Sequence, residues 1–201
     1  IWDDWMSWLN YGHRITPVAS TDVHGDDGVG TPRTYFVSST EDPAQFVWAD
    51  LKSSIETGNV TLSAGAFALA SIGGQGPGST VKATAGAGGP EVTLDLDVRG
   101  TPAIDVTRVS VFVNCDEVAR IPATDANGLQ KLKTSKLLQL NKDAHIVVAA
   151  FGTGPMPRGF AQVDEPLRLP RAVVAPIFVD ADGDGVWTPP GGKTCSYSLE
   201  P

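Results

Sequence analysis

The run EVTLDLDVR, from Glu91 to Arg99, alternates without a fault. Val92, Leu94, Leu96 and Val98 point one way, and Thr93, Asp95, Asp97 and Arg99 point the other. This period of two belongs to a strand with one dry face and one wet face. A helix would scatter the same apolar residues around its axis. Val109, Val111 and Val113 repeat the pattern, and Asn114-Cys115-Asp116-Glu117 then reads as a turn into Val118 to Ile121. Leu138 to Leu140, the turn Asn141-Lys142-Asp143 and Ala144 to Phe151 form a second strand–turn–strand unit. With 22 glycines and 15 prolines the chain breaks into short apolar runs. Residues 73–201 therefore read as an all-β, sandwich-like domain.

Residues 1–72 have a different texture. Trp2, Trp5, Met6 and Leu9 make the stripe of a short amphipathic helix, with Gly12 placed to end it. So many apolar side chains on one short helix predict a cover supplied by something absent from this chain. Ile15 to Ser20 and Thr34 to Val37 read as strands. Asp42 reads as an N-cap, Pro43 as the first helical residue and Gly58 as the stop, which predicts a helix over 43–57. Val60 to Leu62 and Ala66 to Ile72 follow as extended segments, giving an α/β order. The run Gly73-Gly74-Gln75-Gly76-Pro77-Gly78 then separates two domains, 1–72 and 73–201.

The net charge of −8 and the absence of a Lys/Arg cluster argue against nucleic-acid binding. No apolar run approaches the roughly 20 residues of a membrane span. The chain opens Ile1-Trp2-Asp3-Asp4, without an initiator Met or a signal-peptide core, and reads as part of something longer. Cys115 and Cys195 can pair in an oxidising compartment or stay free.

Chemistry concentrates in two places. On an extended backbone Asp22 and His24 project to the same face, and a carboxylate with an imidazole suits Zn²⁺, Mn²⁺ or Fe²⁺. Equally, Asp22 can simply hydrogen-bond and orient His24 on a loop. Arg33 offers a planar fork to an anionic group of a small-molecule substrate. His13 reads as a helix C-terminal histidine favoured by the dipole, and His145 as a surface or core residue of a strand. The second place is DADGDGVWTPPG, where Asp180, Asp182, Asp184 and Gly185 match the opening positions of a calcium loop. Gly191 stands where that loop needs its bidentate Glu, and Pro189 and Pro190 forbid the exiting helix. The acidic loop at 180–185 thus reads either as a non-helical Ca²⁺ site or as a set of Asx-turns, with a structural role in both cases.

The runs WLNYGHRITPVASTDVHG, GTPRTYFV and LKSSIETGNVTLSAG, over roughly residues 5 to 72, resemble in order and spacing the C-terminal end of the PHP (polymerase and histidinol phosphatase) metallohydrolases. The likeness is greatest to the CehA/McbA type, and VVAPIFVD with its acidic loop resembles the tail of those proteins. The resemblance implies the last strands and helix of a distorted β/α barrel, followed by the sandwich-like domain. It implies Asp22 and His24 as the last two ligands of a multinuclear site, Arg33 nearby, and metal-activated water attacking a phosphoester, amide or carbamate. The family's H-x-H motif and its other upstream ligands have no counterpart here, and two ligands do not complete a zinc site. The expected function is therefore the C-terminal portion of a metal-dependent hydrolase, inactive without an N-terminal part, in a bacterial-type extracytoplasmic or secreted protein. The competing expectation is a secreted, non-catalytic, calcium-stabilised β-sandwich that binds carbohydrate or protein.

Overall fold

The computed structural model describes residues 1–22, 30–157, 169–192 and 194–196. The elements in chain order are α1 (Trp2–Asn10), β1 (Arg33–Phe36), a 3-10 turn (Pro43–Gln45), α2 (Trp48–Thr57), β2 (Val60–Ala64), β3 (Phe67–Ile72), β4 (Thr80–Lys82), β5 (Thr84–Gly86), β6 (Gly89–Arg99), β7 (Arg108–Val113), β8 (Asp116–Pro122), β9 (Gln130–Gln139), β10 (Ala144–Phe151) and β11 (Arg171–Asp180). The larger sheet runs β1-β2-β11-β10-β7-β8, with β4 beside the end of β11. In the smaller sheet β6 is central, with β9 along one edge and β3 and β5 in succession along the other.

This architecture corrects the α/β expectation. Strands hold 42% of the described residues and helices 12%, and the sheets are antiparallel apart from the short β4–β11 pair. β1 and β2, read as the last strands of a barrel, pair antiparallel with each other, and β2 then pairs antiparallel with β11. A barrel of the PHP type needs parallel strands joined by helical crossovers. Between β1 and β2 lie only the 3-10 turn and α2, and they join antiparallel neighbours, so they make no such crossover.

The alternation of β6 does what period two requires. Val92, Leu94, Leu96 and Val98 are buried between the sheets, joined there by Val109, Val111, Ile146 and Val148. β10 is buried along its whole length. Ala144, Ile146, Val148 and Ala150 face the sandwich core, whereas Val147, Ala149 and Phe151 face a second core on the outer side of the larger sheet. That second core is roofed by α1, through Trp5, Met6 and Leu9, and by a strap that follows β11, through Trp187 and Cys195. Trp187 Nε1 donates to the carbonyl of Ala144 (2.9 Å), fixing the strap on β10.

β11 carries Pro176 within it, which would break an interior ladder because proline has no N–H. The position is tolerated where the strand changes neighbours: β2 pairs with residues 171–174 and β4 with residues 178–180. The carbonyl of Pro176 is still used, accepting from Gly78 N (2.7 Å).

Local punctuation falls where the sequence places it, with two differences. α1 ends with Gly12 at φ 92°, and α2 ends on Gly58 at φ 81°. Asp42 does cap a helical turn, its Oδ1 accepting from Ala44 N (2.9 Å), but the helix breaks at Phe46 and restarts at Trp48. Phe46 instead stacks edge-on against Phe36 and Trp48. Ile15 to Ser20 forms no strand; side-chain ties hold it, Thr16 Oγ1 to the Ile55 carbonyl (2.6 Å) and Thr34 Oγ1 to the Ala19 carbonyl (2.9 Å).

Candidate metal centre

At the end of β11 the chain turns through Asp182-Gly183-Asp184-Gly185, and both glycines take left-handed φ values, 79° and 90°. Carboxylates organise the turn. Asp180 Oδ1 accepts from Gly183 N (2.6 Å) and its Oδ2 from Gly185 N (2.9 Å). Asp182 Oδ1 accepts from Asp184 N (3.1 Å), and Asp184 Oδ1 from Val186 N (2.8 Å). These are the Asx-type bonds expected of closely spaced aspartates.

A fourth aspartate joins from another element. Asp143, in the turn between β9 and β10, is buried; its Oδ1 accepts from Ala181 N (2.7 Å) and its Oδ2 from Thr188 N (2.6 Å). Carboxylate oxygens of Asp143, Asp180 and Asp182 lie within 4.8 Å of one another, so this cluster could hold a metal ion. The donors that meet these carboxylates are backbone N–H groups, which leaves their negative charge for a cation to balance. Lys82 borders the turn, but its Nζ donates to the carbonyl of Gly183 (3.1 Å).

The cluster differs from the sequence reading by one residue. Asp180 and Asp182 belong to it, Asp184 turns away to Val186, and Asp143 takes part. Asp143 was legible only as a turn residue, because a ligand arriving from a different hairpin has no fixed spacing. Replacing Asp143 with alanine leaves the amides of Ala181 and Thr188 without their acceptor. We expect a loss of about 2 kcal/mol in urea unfolding. The exposed Asp184→Ala is expected to change stability by less than about 0.5 kcal/mol.

The D-x-H segment lies apart from this cluster in the sequence and only partly within the described residues. Asp22 is exposed, with φ 50°, a left-handed conformation that aspartate tolerates better than most residues. His24 lies outside the described residues. Arg33 opens β1, exposed, with its guanidinium folded over Gly30 and its Nη2 donating to Thr31 Oγ1 (3.3 Å). His13 is exposed just beyond α1, where its N–H donates to the Trp8 carbonyl (2.9 Å). His145 is fully buried under the strap, 6.4 Å from the Trp187 ring; burial pushes its pKa down to about 4, which the backbone at Asn114 partly opposes.

Most of the large apolar side chains exposed among the described residues fall in residues 1–48, including Trp8, Val18, Val37, Phe46 and Trp48. Between α1 and Ile15–Val18, an open apolar cavity of about 420 Å³ lies over Leu62 and Val173.

Cys115 and Cys195 form a disulfide, with Cα atoms 5.1 Å apart, which is consistent with an extracytoplasmic location. No helix among the described residues is long and apolar enough to cross a membrane. Compared with models of known protein families, with curated proteins and with solved structures, the chain matches none of them.

Proposed function

We propose that this chain is a portion of a metal-dependent hydrolase, supplying Asp22 and His24 to a multinuclear site whose other ligands lie on a polypeptide beyond it. The reading rests on the ordered signature of residues 5 to 72 and needs no barrel within the chain. The observation that carries it is the concentration of exposed aromatic and aliphatic side chains in the segment that also bears Asp22 and Arg33. A free-standing sandwich has no use for such a surface, whereas a segment docked on a catalytic partner does. Asp22 and His24 would bind a Zn²⁺, Mn²⁺ or Fe²⁺ ion, which supplies an activated water when bound. Arg33, two residues beyond Thr31, would meet an anionic group of a small-molecule substrate.

Asp22→Asn and His24→Ala are expected to lower the transition-metal content and the hydrolysis of the complete protein together. The folded sandwich should survive both changes. Elemental analysis and phosphoester or carbamate turnover give the check. Unchanged metal content and turnover in both variants would refute the reading.

A second reading has its own observation, the Asp143–Asp180–Asp182 cluster: a secreted, calcium-stabilised β-sandwich that binds carbohydrate or protein. A bound cation raises the stability of the state that binds it. Ca²⁺ is then expected to raise the melting temperature, and chelator to lower it, in the wild type but not in Asp182→Ala. A melting temperature indifferent to chelator counts against this reading.

A further inference from the structure

We propose that the Cys115–Cys195 disulfide is a redox latch: it holds α1 and the strap closed over the second core, and reduction by a dithiol lets that layer open while the sandwich stays folded. The molecule has two apolar clusters. One fills the space between the sheets, and the other lies outside the larger sheet. The layer that covers the second cluster makes no strand ladder with the sheet; α1 and residues 181–192 and 194–196 lie on it through side chains.

The ties between α1 and the strap converge on the disulfide. Ser7 Oγ accepts from Cys195 N (2.8 Å), and the Asn10 carbonyl accepts from Gly191 N (3.1 Å). The buried Asn10 side chain donates through Nδ2 to Cys115 Sγ (2.6 Å) and lies 3.5 Å from Cys195 Sγ. Gly12, just past α1, sits so close to Pro189 of the strap that a Cβ there would lie 3.1 Å from the proline ring. Cys115, at the β7–β8 turn, anchors all of this to the sheet. Covers held mainly by side chains are the parts of a fold that open below global unfolding. Here one covalent bond opposes that opening.

The exchange chemistry follows from the same contacts. Both sulfurs are buried, so attack requires the end of the strap to lift transiently. A thiolate of the dithiol attacks Cys195 Sγ; the S–S bond breaks, and its electron pair leaves on Cys115, where the Asn10 amide can donate to the new thiolate. The second thiolate of the reductant then displaces Cys195. The reductant departs as its own disulfide, and the two cysteine thiolates take protons from water.

Hydrogen exchange of the whole chain, with and without dithiothreitol, tests the latch. The readout is the exchange rate of α1 amides relative to those of β6 and β9. On reduction this ratio is expected to rise at least about tenfold, as loss of a constraint confined to the cover requires. The Cys115→Ser/Cys195→Ser variant should show the raised ratio without reagent. An unchanged ratio, with cover and sandwich speeding up together, overturns the proposal. So does collapse of the β6 and β9 protection when wild-type protein, folded beforehand, is reduced.

Discussion

Leu94→Ala is expected to lower the unfolding free energy by about 4 kcal/mol, towards the upper part of the range for buried leucines. Leu94 is fully buried in the middle of β6 and faces the space between the sheets. Its strand is pinned on both sides, opposite Ile72 of β3 and Lys136 of β9. The backbone therefore cannot close in on the space a smaller side chain would leave, and the cavity remains. Leu69 is the internal control: it sits on the neighbouring strand β3 but turns to the outer face, 47% exposed. Leu69→Ala is expected to stay within about 0.5 kcal/mol. Urea unfolding of the two variants measures the contrast, and equal losses would mean that the faces of the smaller sheet are assigned the wrong way round.

Acid should weaken the fold through one residue before its carboxylates respond. His145 is buried with a pKa of about 4 in the folded protein, against an ordinary value of 6.5. The sign follows from proton counting. Between pH 6.5 and 4 the unfolded chain binds a proton at this residue and the folded chain does not, so stability falls as pH falls. Across that window the loss amounts to roughly 3 kcal/mol. The penalty is absent at neutral pH, where both states are neutral. Asp97 and Glu117 are held below the usual carboxylate range by hydrogen bonds from Arg99 and Arg120, so their contributions disappear only at lower pH. His145→Leu is expected to flatten the dependence between pH 6.5 and 4.5 in urea unfolding. A slope as steep as the wild type's would place the acid sensitivity elsewhere.

β6 and β7 were readable from their two-residue period, and β10 from an apolar run that follows a turn. So were the ends of both helices, where glycine is needed at positive φ. Partnership was not readable. β2 lies beside β11, more than a hundred residues away in the chain, and no local pattern records which distant edge a strand will meet. The expected order strand, strand, helix, strand over residues 15 to 72 therefore suits a barrel, whereas the structure forms no strand at 15–20 and pairs β1 with β2 at the edge of a sandwich. Lys131 shows a similar limit. It breaks the alternation of β9 yet is fully buried, its Nζ donating to the carbonyls of Thr101 and Ala126 (3.0 Å each). A lysine in a strand reads as solvent-facing until the carbonyls that receive it are known. For the metal cluster, the sequence held two of the three aspartates in one motif and the third in a separate hairpin turn.

The place of β2 in the larger sheet bears on how the protein can be shortened. A version beginning at residue 73 would keep the long strands β6, β9, β10 and β11 but lose both helices and β1, β2 and β3. Residues 171–174 of β11 would then present unpaired N–H and C=O groups along a newly bared margin, next to the apolar side chains of Val173 and Val174. Such a margin is a template for the same segment of another molecule. The shortened protein should therefore be prone to stick to itself, and the first residues it would need back are Val60 to Ala64.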